Sequence, residues 1–227
     1  MNMIITTLEQ QAYAALRDKI LTGELPRGAR LMAKDLAEVL AISQTPIKGA
    51  LSLLERDGLV EVESRRFVVV RRFTPADIRN LYAARQLVEI EAVSIGISAG
   101  FVDARFLAEM DDLFISQCRE ADKGTQDGLR EVVRLDREFH ELLVALSKNP
   151  VLMDWHRSLM LQTHTLRTYT LHNYSFERAR SEHGAILEAL RAGDALGLSK
   201  MLKYHLTMSR DDLLSRTPNH TSTQVEV

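Results

Sequence analysis

One stretch near the N-terminus, SQTPIKGALSLLERDGLV at residues 43–60, contains the start, the buried face and the end of a helix in its own sequence. Either Thr45, with Pro46 at the first helical position, or Ser43 can cap its N-terminus, and Gly58 can end it in a left-handed conformation. Four apolar residues at helical spacing form a face that must be buried: Ile47, Ala50, Leu51 and Leu54.

The opposite face of this helix carries Gln44, Lys48 and Ser52, which are four residues apart and therefore point the same way. A helix that is buried on one side and presents long polar side chains on the other suits insertion into a DNA major groove. Many surface helices share this pattern, so the neighbouring elements must decide its role.

Two further helices precede this stretch, and two strands follow it. Helical spacing of apolar residues indicates helices over 9–22 and 33–40, and residues 41–43 form the tight turn of a helix-turn-helix. After Gly58 the segments LVEVES and RFVVVRR are strand candidates, joined at a tip of Ser64, Arg65 and Arg66. The order predicts a winged helix-turn-helix whose two tip arginines contact DNA; the alternative is that both are simply solvated.

Composition bounds the class of protein. Residues 1–73 hold 11 basic and 9 acidic residues, against 18 and 22 in the remainder, so the charge permits nucleic-acid binding without demanding it. The single cysteine, Cys118, excludes a disulfide framework and a cysteine-rich zinc module, and fits a reducing cytoplasm. The start of the chain lacks signal-peptide features and no apolar run approaches transmembrane length, so we expect a cytoplasmic protein.

The segments LRDKILTGELPRGARL and KDLAEVLAISQTPIKGALSLLERDGLVEV closely resemble the N-terminal domain of GntR-family bacterial transcription regulators, over nearly all of residues 8–73. The resemblance implies a homodimer that binds a short palindromic operator in double-stranded DNA. The residues that we expect to contact DNA are Lys34, Ser43, Gln44, Thr45, Lys48, Arg65 and Arg66.

This chain departs from the family pattern at the positions that read DNA. Lys34, Gln44 and Lys48 stand where the family typically has arginines, Gly49 where it has glutamate, and Phe67 where its wing has glycine. Arginine grips guanine through two hydrogen bonds, whereas lysine is a point charge and glutamine pairs best with adenine. The docking mode is therefore expected to carry over, but the family's usual half-site is not.

The remainder of the chain reads as helix throughout. Thr74 caps a new unit, with Pro75 at the first helical position and Asp77 in the first turn. The predicted helices span residues 75–99, 103–123, 127–147, 150–172, 175–192 and 194–216. The predicted fold is mainly α: a winged helix-turn-helix domain (1–73), an antiparallel bundle of about six helices (74–216) and a disordered tail (217–227).

Four residues of the predicted bundle can hold a metal ion. Asp136 and His140 lie one turn apart on the third helix of the bundle, and His183 and His205 lie on the fifth and sixth. One carboxylate and three imidazoles suit a divalent ion such as zinc, nickel or manganese. Spacing alone leaves the alternative open that the Asp-x3-His pair arises by chance and the other two histidines are separate surface residues.

The segments RLDREFHELLVALSKNPVLMDW, SEHGAILEALRAGDALGLSKMLKYHL and YAARQLVEIEAV resemble the FCD effector-binding domain of the FadR subfamily, over about residues 76–210. A bundle of six helices rather than seven resembles the VanR-type branch of this subfamily, and the match retains all four metal positions. The resemblance implies a bound metal and a small carboxylate effector that completes its coordination. Arg85 and Arg167 match recurring arginines that would bind this effector; the alternative is a structural salt bridge, for Arg85 with Glu89.

The leading hypothesis is a metabolite-controlled transcription regulator, usually a repressor in this family, and not an enzyme. One alternative keeps DNA binding but makes the metal purely structural, with no effector. The other is a metal-dependent hydrolase, which lacks a further acid or base at motif spacing.

Overall fold

Three helices and a small sheet make up the first of two structural units, Met1–Arg72 and Phe73–Val227, in a computed structural model that describes residues 7–64, 66–171 and 176–217. Thr7 and Gln10 begin the first helix with a reciprocal capping box. The elements of this unit are α1 (Leu8–Leu21), β1 (Arg30–Leu31), α2 (Ala33–Leu40), α3 (Gln44–Arg56), β2 (Val60–Ser64) and β3 (Phe67–Val70).

Helix α3 begins and ends through local signals. Ser43, one of the two caps that the sequence left open, is its N-cap residue, without a side-chain hydrogen bond; Thr45 and Pro46 lie inside the helix. At the other end Gly58 has a φ of 71°, and its N–H and that of Leu59 donate back into the last turn, to the carbonyls of Glu55 and Leu54. The four apolar residues predicted to face inward are all buried.

The sheet has three antiparallel strands in the order β1-β3-β2. Strands β2 and β3 form the predicted wing, with Val62 opposite Val68. The sequence did not predict β1, which pairs Arg30 with Val69 inside a segment that reads as a turn-rich connector. Two residues are too short to show the alternation by which a strand is recognised. Arg65, at the wing tip, lies outside the described residues.

Six helices form the described part of the second unit, in agreement with the predicted all-helical bundle. A capping box between Thr74 and Asp77, with Pro75 at the first helical position, starts the first of them as expected. Their bounds lie within a few residues of the predicted ones. They are α4 (Pro75–Ser98), α5 (Ala104–Asp122), α6 (Gln126–Ala145), α7 (Pro150–Tyr169), α8 (Glu177–Arg191) and α9 (Ala195–Arg216). The predicted disordered tail falls, apart from Thr217, outside the described residues.

The core of this bundle mixes apolar and ionisable side chains. Residues such as Tyr82, Phe139 and Leu206 are fully buried at its centre. Seven charged or imidazole side chains among the described residues are at most 1% exposed: Arg85, Glu89, Asp136, His140, His156, His183 and His205. Charged side chains are almost never buried to this degree unless they are paired or bind an ion, so this cluster marks the candidate site. Among the described residues, no helix is both long and apolar enough to span a membrane.

Candidate functional site

The four residues predicted as metal ligands meet in the interior of the bundle. Helix α6 supplies Asp136 and His140 from one face, α8 supplies His183, and α9 supplies His205. One carboxylate oxygen and three ring nitrogens lie within 4.8 Å of one another. Ligand atoms about 2.0–2.2 Å from a shared ion are separated by about 3–4.4 Å, so small side-chain shifts bring this set to coordination distance.

The Nε2 atoms of the three histidines face the centre of this group. His140 Nε2 lies 3.2 Å from His205 Nε2, and His183 Nε2 lies 3.6 Å from an Asp136 oxygen. The Phe139 ring stacks on the His183 imidazole, with centroids 4.3 Å apart and planes 8° from parallel. Stacking and burial together restrict how this imidazole can turn.

Each imidazole is held from behind through its Nδ1 atom. His140 Nδ1 lies 2.7 Å from Glu89 Oε2, and His205 Nδ1 lies 2.8 Å from Glu182 Oε2. An ionised carboxylate only accepts hydrogen bonds, so the ring proton of each histidine is on Nδ1 and each Nε2 carries a lone pair. The two lone pairs then face each other across 3.2 Å, an arrangement that a cation between them relieves.

The charge states also favour a cation. Burial lowers the pKa of His140, His183 and His205 below the ordinary value, so all three are neutral at pH 7. Burial alone would raise the pKa of Asp136, but the Arg167 guanidinium holds that pKa well below its usual range. An ionised carboxylate beside three neutral imidazoles is a donor set for a divalent transition metal.

Two of the candidate ligand atoms support the same conclusion because they make no hydrogen bond with the rest of the described structure. Asp136 Oδ1 and His183 Nε2 are buried and have no hydrogen-bond partner within the described residues. Leaving a buried polar atom unpaired destabilises a fold by about 1–3 kcal/mol, and native proteins rarely do so without a reason. A divalent ion would use both atoms, so the residues present fit a metal.

Arg85, predicted to bind an effector, forms the salt bridge with Glu89 that was its alternative. Its Nε atom donates to Glu89 Oε1 over 2.7 Å, and both side chains are fully buried. Its two terminal nitrogens have no hydrogen-bond partner in the described part of the chain, and neither has the buried hydroxyl of Tyr82. The guanidinium carbon lies 5.1 Å from the centroid of the Tyr82 ring. Glu89 therefore fixes the position of the guanidinium but accepts a hydrogen bond from only one of its three nitrogens.

Arg167, the second predicted effector arginine, pairs with a candidate metal ligand. Its terminal nitrogen lies 2.5 Å from Asp136 Oδ2, and both side chains are almost completely buried. Arg167 pairs with Asp136, and Arg85 pairs with Glu89, which in turn contacts His140, so both guanidinium groups lie beside the candidate ligands. The structure brings both arginines to the site as salt-bridge partners.

Sequence reasoning missed most of the outer contacts. Glu182 and Gln117 hold His205 and His183, and Glu89 was considered only as a partner of Arg85. His156 matched no metal position, yet its Nε2 lies 3.1 Å from Glu89 Oε1 and the residue is 1% exposed. Each outer partner lies on a helix other than that of the histidine it holds; Glu182 directly precedes His183 on α8 but holds His205 on α9. Spacing along one helix therefore carries no signal for them.

The residues predicted to contact DNA lie on the surface of the N-terminal unit. Arg30 places its guanidinium 4.6 Å from the centroid of the Phe67 ring, which gives this unusual wing residue a partner. At Gly49 a Cβ atom would lie 2.4 Å from a Glu9 carboxylate oxygen, so a larger residue there would require the Glu9 side chain to move. Of the predicted residues, those described are all exposed: Lys34, Ser43, Gln44, Thr45, Lys48 and Arg66.

Two family models match the sequence. Residues 8–70 match the model described as bacterial regulatory proteins, gntR family, and residues 80–208 match the FCD domain. The first match corresponds to the three helices and sheet of the first unit, and the second spans most of the helical bundle that contains the histidine cluster.

Individual relatives give the same result. An "uncharacterized HTH-type transcriptional regulator YdhC" of Bacillus subtilis (strain 168) is 32% identical over 143 residues, which are 61% of this chain and 60% of that protein. A Streptomyces ambofaciens protein named as an HTH-type transcriptional regulator in an unstable DNA locus is 29% identical, over 91% of this chain and 85% of its own length. A solved structure of a putative GntR transcriptional regulator from Rhodococcus sp. RHA1 superposes with a TM-score of 0.80 at 26% identity, covering 94% of this chain and all of that one.

Proposed function

The chain belongs to the GntR family of bacterial transcription regulators, with an FCD domain as its second unit, and we propose that a small carboxylate bound beside a metal in that domain controls its binding to operator DNA. The observation that carries the proposal is the convergence of Asp136, His140, His183 and His205 on one buried point.

The four clustered residues would hold the ion, and the ion, when bound, supplies positions that carboxylate oxygens can occupy. Zinc, nickel and manganese all suit one carboxylate and three imidazoles. Phe139 keeps one imidazole in place by stacking, and burial excludes water from the ligand atoms. The proposed role of the centre is to bind the effector, which requires no catalytic acid or base. The family consists of transcription regulators rather than enzymes.

Arg85 is the residue that we propose to bind the carboxylate end of the effector. Two of its guanidinium nitrogens are buried without a hydrogen-bond partner in the described structure, and a carboxylate can accept from both at once. Glu89 fixes the remaining nitrogen, so the fork is held in position before the effector arrives. Arg167 can contribute charge to the same point, but it also has to keep Asp136 ionised.

The N-terminal unit would read the operator as one half of a homodimer on a palindrome. Gln44 and Lys48 lie on the exposed face of α3, Lys34 lies in the first turn of α2, and Arg66 lies at the wing. Glutamine can pair with adenine through two hydrogen bonds, whereas the lysines and the arginine suit phosphates. The effector regulates only if it binds the DNA-competent and incompetent arrangements with different affinity.

Selection of bound sequences from random DNA, with and without organic acids, tests the whole proposal. We expect an enriched palindrome whose retention changes when the effective acid is added. With Gln44→Ala the preferred base at one position should change, whereas Lys48→Ala should weaken binding to operator and random DNA alike and lower the salt dependence. Equal loss of affinity for both DNAs with Gln44→Ala would overturn its reading role.

A thermal-shift series separates the effector from a purely structural metal. We expect zinc, nickel or manganese to raise the melting temperature of chelator-treated protein, and a suitable acid to raise it further. In the Arg85→Lys variant the contribution of the acid should be lost while that of the metal remains. Stabilisation by metal with no added effect from any acid would instead favour the structural role.

A further inference from the structure

We propose that Glu89, Gln117 and Glu182 are positioning residues that set the affinity of the metal centre by fixing which nitrogen of each histidine carries the proton. The inference rests on the proposed metal function and extends it to residues that are not ligands. These three residues are named below as the outer acceptors.

The outer acceptors each bind a different histidine at the same atom. Glu89, Glu182 and Gln117 place an oxygen 2.7, 2.8 and 2.9 Å from the Nδ1 atoms of His140, His205 and His183 respectively. A proton on Nδ1 leaves the Nε2 lone pair available to a metal. A carboxylate behind an imidazole also increases its electron donation to the ion, and loss of such a contact typically lowers metal affinity 10–100-fold.

The outer acceptors come from helices α4, α5 and α8, and they differ in charge. Glu89 and Glu182 are carboxylates whose charge is matched by a guanidinium, from the buried Arg85 and the partly exposed Arg178 respectively. Gln117 is fully buried and neutral, and its side-chain nitrogen has no hydrogen-bond partner in the ranges that the structure covers. The His183 position is therefore the one where the chain holds a ligand histidine without a charge.

This difference in charge predicts that removing a carboxylate behind one histidine lowers zinc affinity, whereas adding one behind another raises it. Glu182→Gln keeps the shape and an acceptor oxygen but removes the charge behind His205, so zinc affinity should fall 10–100-fold. Gln117→Glu adds a charge behind His183 and displaces a buried nitrogen that has no partner, so zinc affinity should rise about tenfold. A role confined to packing would not produce a gain.

The experiment measures zinc affinity of the full chain by competition with a chromophoric chelator. Glu188→Gln is the matched control, because it makes the same change on the same helix at a side chain that is 75% exposed, and it should bind zinc as the wild type does. Circular dichroism of the chelator-treated variants shows whether each one folds. Nitrogen NMR of the chelator-treated wild type and Glu182→Gln reports the protonated ring atom directly, and we expect Nδ1–H for all three histidines of the wild type.

The outcomes separate this inference from the proposed function. If wild-type protein binds zinc and both Glu182→Gln and Gln117→Glu bind it equally well, the positioning role is wrong and the metal site stands. If wild-type protein binds no metal, the proposed function fails, and the NMR result alone decides whether the outer acceptors fix the tautomers. Protons on Nε2 in the wild type would overturn the inference in either case.

Discussion

Replacing Arg85 by methionine tests how the buried charges of the bundle are balanced. Arg85 and Glu89 form a fully buried pair one helical turn apart, with Nε 2.7 Å from Oε1. The substitution keeps much of the aliphatic volume and leaves the Glu89 carboxylate without its guanidinium. We expect the free energy of unfolding of metal-free protein to fall.

The structure narrows the expected size of this effect. Removal of one partner from a buried ion pair typically destabilises a protein by about 3–5 kcal/mol. Two contacts reduce the loss here, because Glu89 keeps hydrogen bonds from His140 and His156. The substitution also removes two buried nitrogens that lack partners among the described residues, each worth about 1–3 kcal/mol of unrelieved desolvation. The net loss should therefore be smaller than that of a typical buried pair, at most about 3 kcal/mol.

The assay is urea denaturation in the presence of a chelator, followed by circular dichroism and by fluorescence of Trp155, the single tryptophan of the chain. Trp155 lies on α7, so its signal belongs to the helical unit alone. The double variant Arg85→Met/Glu89→Gln removes both charges and should be more stable than Arg85→Met. The effects of Arg85→Met and Glu89→Gln on the free energy of unfolding are then compared with that of the double variant. If the two single effects add to the double effect within about 0.5 kcal/mol, the charges are not coupled and the reasoning is refuted.

Three further predictions concern titration and packing. Burial lowers the pKa of the site histidines in the folded chain, so below the unfolded value of about 6.5 the unfolded chain binds more protons. The stability of metal-free protein should then fall between pH 7 and pH 5, by up to about 1.4 kcal/mol per pH unit for each histidine; a flat profile in denaturation at a series of pH values would contradict this. Burial and the Asp57 carboxylate raise the pKa of Tyr13 to about 12, and Asp57→Asn should move it towards 10 in an ultraviolet titration, where no change would exclude the contact. Gly49→Ala should raise stability by about 0.5–1 kcal/mol in a Glu9→Ala background and by less alone, because the Glu9 side chain occupies the space of a Cβ at position 49; thermal denaturation that shows equal gains would argue against that close contact.

The helices were predictable because their signals are local. The capping pair of Thr74 and Asp77 and the left-handed Gly58 lie within a few residues of the ends they define. Strand β1 was not predictable, because it is two residues long and exists only through pairing with β3, about 38 residues later in the chain. The cap of α3 was left open between two residues, since both serine and threonine can supply it.

The candidate ligands and their supports differ in the same way. Asp136 and His140 share a face of one helix, which the sequence shows, whereas their convergence with His183 and His205 came from family resemblance rather than spacing. The contact of Glu89 with His140 joins residues 51 positions apart, and that of Gln117 with His183 joins residues 66 apart. Such contacts depend on how helices pack, so no pattern within one helix could predict them.

The spread of the ligands over α6, α8 and α9 has a consequence for the lifetime of the folded chain. The residues from Asp136 to His205 include all of α7 and α8 and parts of α6 and α9, so the complete ligand set forms only after these helices have packed. Contacts that form late stabilise the native state more than the folding transition state, and they act mainly on the unfolding rate. A metal-bound centre would therefore slow unfolding far more than it speeds folding, and would lengthen the lifetime of the folded bundle.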